Sequence, residues 1–191
     1  MAALAEIGEN EGSIEEDEEK VITNLLRLRE IEVRSEMTPR VVMTSVHVDS
    51  TVEDVLREIP IMTHGRMPVH GESIDDVRGM VLRNDILRKA AADEDDVTMA
   101  ELMRNISSCS ETQSVDMALD ILLDRREQML IVKDEFGGTT GLITMEDIIE
   151  TLLGVEIVDE HDIDAIEEGT GAEDMREFAK EKYGTSNDDD V

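Results

Sequence analysis

The stretch Gly141-Leu142-Ile143-Thr144-Met145-Glu146-Asp147 marks a point where a strand ends and a helix begins. Its apolar run stops at the hydroxyl of Thr144, which stands three residues before the carboxylate of Asp147. This spacing is typical of a helix N-cap, in which each side chain bonds to the other residue's backbone N–H. A helix N-terminus also offers free N–H groups and a positive dipole end to an anionic ligand. The stretch therefore predicts a strand-to-helix turn, and its spacing alone leaves open whether the turn is also a binding site.

The same order of patterns occurs twice in the chain. Matching residues recur 62 or 63 positions apart: Val52 with Val115, Leu56 with Leu119, Met67–Val69 with Leu130–Val132, Gly79 with Gly141, and Asp85 with Asp147. Each copy predicts strand, helix, strand, strand, helix. One copy alone would bury little apolar surface, so we expect the two to pack as one pseudo-symmetric pair of α+β repeats.

Periodicity and charge change on either side of the repeats. The capping pair Ser13 and Glu16 opens an amphipathic helix that runs to about Ile31. The β-branched run Val41–Val46 predicts the first strand. The predicted organisation has four parts: an acidic connector with the amphipathic helix (1–36), the first repeat (37–99), the second repeat (100–156) and an acidic, partly disordered tail (157–191).

Composition argues against several classes of function. The net charge of −30 makes nucleic acid and anionic membrane surfaces poor partners. The single cysteine, Cys109, allows no internal disulfide and fits a reducing compartment. No apolar run approaches the roughly twenty residues that span a bilayer, and no signal peptide is visible. The histidines show neither metal-ligand spacing nor a paired nucleophile, so we expect no catalytic residue and no metal held by the protein alone.

The residues around the second turn resemble a known family. The run Asp134–Asp147, with a Gly-Gly hairpin and a Gly-x-x-Thr-x-x-Asp ending, is similar to the signature of the CorB/CorC and CNNM magnesium-transport family. Asp159–Asp162, Val33–Arg40 and Arg66–Val69 are similar to further motifs of that family. The doubled repeat as a whole resembles a tandem cystathionine-β-synthase (CBS) domain pair. The resemblance covers roughly residues 6–162.

This resemblance implies a fold, a ligand and partners. The chain looks like the cytosolic regulatory part of a magnesium transporter, on the cytoplasmic side of the cell membrane. Family pairs bind ATP with Mg²⁺, associate as homodimers and regulate an attached membrane domain. The residues of this chain that match the family's nucleotide-binding positions are Thr38, Arg66, Met67, Pro68, Thr144, Glu146 and Asp147. Among them, Thr144 and Asp147 match the pair that binds ribose.

The first copy departs from this pattern, because Leu82 stands where the second copy has the hydroxyl of Thr144. We therefore expect one nucleotide per chain. Three alternatives stay open: a stand-alone CorC-like accessory protein, a CBS module that senses AMP or ATP for another protein, and an ATP hydrolase that uses Asp147 and His161.

Overall fold

The computed structural model describes residues 16–154. The predictions made for Ser13, for the segment Asp159–Asp162 with His161, and for the acidic tail lie outside these residues. The described chain divides into two compact units. The first-repeat unit contains residues 44–105, and the second-repeat unit contains residues 16–43 together with residues 106–154.

Helices and strands alternate along the described chain. In chain order the elements are α1 (Glu16–Arg27), α2 (Val33–Glu36), β1 (Thr38–Pro39), a 3-10 turn (Arg40–Val42), β2 (Val46–His47), α3 (Val52–Glu58), β3 (Arg66–His70), β4 (Val77–Leu82), α4 (Arg83–Ala91), α5 (Met99–Leu102), β5 (Ser107–Ser110), α6 (Val115–Arg125), β6 (Met129–Lys133), β7 (Thr139–Thr144) and α7 (Met145–Leu153). Over these residues, no helix is long and apolar enough to cross a membrane.

Each unit contains the predicted repeat of strand, helix, strand, strand, helix. In the first-repeat unit, β2 pairs in parallel with β3, and β3 pairs antiparallel with β4. In the second-repeat unit, β5, β6 and β7 are joined in the same way. Both hairpins shift register at equivalent points, between Val69 and His70 and between Val132 and Lys133. The predicted α+β class and the two repeats are therefore confirmed.

The register fixes which residues of the two turns correspond. Arg66 pairs with Leu82 at the end of β4, and Met129 pairs with Thr144 at the end of β7. Leu82 and Thr144 therefore occupy the same place in their units, as the offset of 62 predicts.

Local chemistry sets the helix boundaries. A capping box between Thr51 and Asp54 begins α3, and the same arrangement between Thr144 and Asp147 begins α7. At the other end of α7, Gly154 adopts a left-handed conformation with φ of 69°, which glycine reaches without the strain of a Cβ. Of these signals, the spacing of Thr144 and Asp147 is the one on which the prediction of the second turn depended.

Aliphatic and methionine side chains fill a separate core in each unit. The first-repeat core includes Met67, Val69 and Ile86. In the second-repeat unit, Leu28 and Val33 are fully buried beside Ile148 of α7. The predicted amphipathic helix therefore packs on the second repeat, although α1 ends at Arg27 rather than near Ile31.

The predicted strand over Val41–Val46 is wrong. Residues Arg40–Val42 form a 3-10 turn, and only Val46 joins a strand. Val41 is 90% exposed and Val42 is 63% exposed. A β-branched run forms a strand only where a partner strand and a buried face are available, and this run has neither before Val46.

Two short segments each precede one repeat in the chain and pair with the other repeat. The first arm (residues 32–39) contains α2 and β1, and it joins the second-repeat sheet where Thr38 pairs with Leu142. The second arm (residues 98–104) contains α5, and it joins the first-repeat unit where Arg104 forms a bridge with Met80. Backbone pairing between distant residues, which local patterns do not reveal, decides this exchange.

Candidate functional site

The turn at Thr144 forms a complete capping box. The hydroxyl Oγ1 of Thr144 accepts a hydrogen bond from the backbone N–H of Asp147 at 3.1 Å. The carboxylate Oδ2 of Asp147 accepts one from the backbone N–H of Thr144 at 2.7 Å. The helix-cap interpretation of the sequence is therefore confirmed, and the two side chains lie side by side at the start of α7.

The carboxylate of Asp147 is only incompletely stabilised in its charged form. Burial raises its pKa above the ordinary value of 3.8, and the neighbouring carboxylates of Glu150 and Glu36 add to the rise. The hydrogen bonds from Thr144 act in the opposite direction but do not cancel it. A half-buried carboxylate of this kind gains from any ligand that donates hydrogen bonds to it, such as the adjacent hydroxyls of a sugar.

Thr38 lies close to this turn because β1 is the edge strand beside β7. Thr38 pairs with Leu142, two residues before Thr144. Cross-strand partners and residues two apart on a strand share a face of the sheet, so Thr38, Leu142 and Thr144 do so here. Thr38 and Thr144 are both half-buried, which leaves part of each side chain accessible. The second-repeat unit therefore brings together Thr38, Thr144 and Asp147.

Two side-chain contacts connect α7 to the elements before β1. The hydroxyl of Thr151 lies 3.0 Å from Oε2 of Glu36 in α2 and 2.8 Å from the backbone oxygen of Asp147. The amide Nδ2 of Asn24 in α1 donates to the backbone oxygen of Leu152 at 3.1 Å. One end of α7 carries the turn at Thr144, and its other end is held by α1.

The remaining predicted site residues are Glu146, which lies on α7, and Arg66, Met67 and Pro68, which lie on β3. Glu146 is exposed in the first turn of α7, beside Asp147. Arg66, Met67 and Pro68 lie on β3 of the first-repeat unit, where Arg66 is half-buried. Met67 is fully buried in the core of that unit. Their shared role in binding stays a prediction.

Acidic side chains of this protein could either bind a metal ion directly or favour one that is carried by a ligand. Within residues 16–154, no group of three or more His, Cys, Asp or Glu side chains is arranged to hold a metal ion. The carboxylates of Glu36, Asp147 and Glu150 nevertheless give the turn a negative potential. Such a site fits the neutral hydroxyls of a ribose, and it fits phosphates better when Mg²⁺ reduces their charge.

Comparison with known proteins places this fold in a family. A family model of the CBS domain matches residues 97–154. A solved CBS domain of a bacterial CNNM/CorC family Mg²⁺ transporter is 36% identical, with a TM-score of 0.76, over 82% of this chain and 95% of that one. This chain belongs to the CNNM/CorC family. A second CNNM/CorC structure, solved in complex with ATP, is 38% identical, with a TM-score of 0.68, over 73% of this chain and 99% of that one.

This chain matches only part of the length of a CorC relative. The magnesium and cobalt efflux protein CorC of Salmonella typhimurium is 33% identical over 162 residues, which is 85% of this chain and 55% of the relative. This chain therefore spans about half the length of the curated relatives that it matches.

The first copy of this CNNM/CorC chain has a different side-chain arrangement at the equivalent turn. Leu82 is the N-cap residue of α4 and makes no side-chain cap hydrogen bond. The carboxylate Oδ2 of Asp85 instead accepts a hydrogen bond from the guanidinium of Arg104 at 2.6 Å. Sequence reasoning identified Leu82 but missed Arg104. The available signal was the recurrence of Met37-Thr38 as Met103-Arg104 at an offset of 66, which differs from the offset within the repeats.

Proposed function

We propose that this chain is a non-catalytic regulatory module that binds Mg-ATP and controls magnesium transport by an attached membrane domain. The observation that carries the proposal is the half-buried carboxylate of Asp147, held by Thr144 at the N-terminus of α7. The ATP complex of a 38% identical relative supports the choice of nucleotide. The magnesium-transporter relatives support the choice of process, and the family resemblance implies a position on the cytoplasmic side of the membrane.

Different groups of the turn would contact the ribose and the phosphates of the nucleotide. The carboxylate of Asp147 accepts hydrogen bonds from the ribose hydroxyls, and the hydroxyls of Thr144 and Thr38 border the same face of the sheet. The positive dipole end at the start of α7 favours the phosphates. Bound Mg²⁺ supplies positive charge to the phosphates in a chain whose net charge is −30. Arg66, Met67 and Pro68, which match nucleotide-binding positions of the family, stay a prediction from the resemblance.

Helix α7 offers a physical route from the nucleotide to the connector. Its N-terminus forms the turn, and its C-terminal carbonyl at Leu152 is bound by Asn24 of α1. A ligand that favours one position of α7 therefore also favours one position of α1, which is a shift between existing conformations. We propose that a homodimer of these modules passes this shift to the membrane domain.

A matched pair of valine variants tests the site. Thr144→Val and Thr51→Val each remove the hydroxyl of a capping box, and each should lower the free energy of unfolding by about 1 kcal/mol. Only Thr144→Val should weaken Mg-ATP binding, by about tenfold in calorimetry, because only Thr144 lies in the proposed site. Thr144→Ile, which also crowds the turn, should weaken binding further. Equal affinities for the wild type, Thr144→Val and Thr144→Ile would overturn the proposal.

A further inference from the structure

Arg104 occupies in the first-repeat unit the place that Thr38 occupies in the second-repeat unit. Thr38 pairs with Leu142 on β7, and Arg104 pairs with Met80 on β4. Met80 and Leu142 are equivalent positions, 62 residues apart. The Arg104 bridge is a double one: its N–H donates to the Met80 oxygen at 2.8 Å, and its oxygen accepts from the Met80 N–H at 2.9 Å.

The surroundings of both residues support this equivalence. A Cβ built on Gly79 would lie 2.4 Å from the backbone oxygen of Arg104, and one built on Gly141 would lie 2.3 Å from that of Thr38. In both units the backbone of the arm therefore lies so close to a glycine of the paired strand that a Cβ there would clash. The short helices that precede them, α2 and α5, have N-cap residues 66 positions apart, Glu32 and Thr98. Glu32 bridges to Ser114, the N-cap residue of α6, and Thr98 bridges to Thr51, the N-cap residue of α3.

The side chain of Arg104 binds the carboxylate that corresponds to Asp147. Its guanidinium lies 2.6 Å from Oδ2 of Asp85. The Asp85 side chain is only 19% exposed, so this contact satisfies a carboxylate that is largely removed from water. In the second-repeat unit the corresponding position is Thr38, whose short side chain carries no charge.

We propose that Arg104 acts as a built-in occupant of the first-repeat turn and excludes nucleotide from it. The inference rests on the proposed function of the second-repeat turn. A guanidinium donates hydrogen bonds to a carboxylate, which is also what ribose hydroxyls do, so Arg104 satisfies the acceptor that a nucleotide would need. A competing sugar would have to displace an intrachain group that is already in place. The first-repeat turn has no hydroxyl, because Leu82 stands at the position of Thr144. Its carboxylate, on Asp85, is already bound by Arg104.

Restoring the second-repeat residues at both positions tests the inference. The number of Mg-ATP molecules bound per chain is measured by equilibrium dialysis with labelled ATP for the wild type, Leu82→Thr, and Leu82→Thr combined with Arg104→Thr. The wild type and Leu82→Thr should bind one nucleotide, and the double variant should bind two. Leu82→Thr combined with Arg78→Thr is the matched control, because it breaks another Arg–Asp pair of the same unit, with Asp76, and it should leave the number at one.

The possible outcomes separate this inference from the proposed function. Two nucleotides on Leu82→Thr alone, or one on a folded double variant, would overturn the role of Arg104 and leave the second-repeat site intact. No nucleotide on the wild type would overturn both. If Arg104→Thr prevents folding, Leu82→Thr with Arg104→Gln keeps most of the aliphatic part of the side chain without its charge, and it should likewise bind two.

Discussion

Asp147 meets two requirements that oppose each other within one side chain. As part of the capping box, it accepts a hydrogen bond from the N–H of Thr144 and stabilises the start of α7. As a half-buried carboxylate near Glu36 and Glu150, it is held in an environment that raises its pKa. An amide at this position would keep the first role and avoid the second. The nucleotide site proposed above would account for a carboxylate at this position.

Asp147→Asn should not destabilise the folded chain at neutral pH. Because the folded-state pKa of Asp147 lies above 3.8, the folded chain binds more protons just above that pH than the unfolded chain does. The free energy of unfolding falls as pH rises through this window, and the penalty is fully present at neutral pH. Thermal unfolding at about pH 7 should show an equal or higher midpoint for Asp147→Asn, while calorimetry shows Mg-ATP binding weakened by about tenfold or more.

Asp54→Asn is the control with the opposite sign. The backbone and side chain of Thr51, together with Arg57, lower the pKa of Asp54. Its charge therefore stabilises the fold at neutral pH, and this stabilisation is lost as pH falls through the lowered pKa. Asp54→Asn should lower the unfolding midpoint without changing nucleotide affinity. If Asp147→Asn lost stability like Asp54→Asn, the conflict assigned to Asp147 would be wrong.

The elements that could be predicted from sequence are those whose signals are local. The turn at Thr144, the hairpins and the helix at Val52 follow from hydroxyl–carboxylate spacing and apolar periodicity, and the structure has them. The exchange of the two arms depends on pairing between residues far apart in sequence, such as Thr38 with Leu142. The same limit applies to the site: Thr144 and Asp147 form a local motif, whereas Arg104 reaches Asp85 only because the second arm returns to β4.

Two glycine variants test the contribution of the arms. Gly141→Ala and Gly79→Ala each place a Cβ against the backbone of an arm, and each should lower the free energy of unfolding by about 1–3 kcal/mol. Displacing the first arm moves Thr38, so only Gly141→Ala should also weaken Mg-ATP binding. Chemical unfolding and calorimetry on both variants provide the comparison. Equal binding by both would show that Thr38 has no part in the site.

For the whole chain, the net charge of −30 sets the conditions under which a polyphosphate can bind. Carboxylates are concentrated at the second-repeat turn itself, where Glu36, Glu146 and Glu150 accompany Asp147. A free nucleotide brings further negative charge into this field. The nucleotide and its metal are therefore expected to bind together.

ATP without Mg²⁺ should bind at least about tenfold more weakly than Mg-ATP, because repulsion from the carboxylates is then uncompensated. Calorimetry with Mg²⁺ and with a chelator measures the difference. Adenosine is the control: it carries the ribose without phosphates, so its affinity should not depend on the metal. Equal affinities for ATP under the two conditions would contradict the electrostatic argument.

The exchange of arms has a consequence for how the protein is made. The first-repeat unit has all of its strands and its arm once residue 104 has left the ribosome, because the second arm follows the first repeat in the chain and pairs with it. The second-repeat unit cannot complete its sheet so early, because Thr38 pairs with Leu142, which is synthesised 104 residues later. Until then Leu28 and Val33 lack the core residues against which they are buried, such as Ile143 and Ile148. The segment from Leu28 to Thr38 therefore stays without its native contacts until Leu142 has been synthesised.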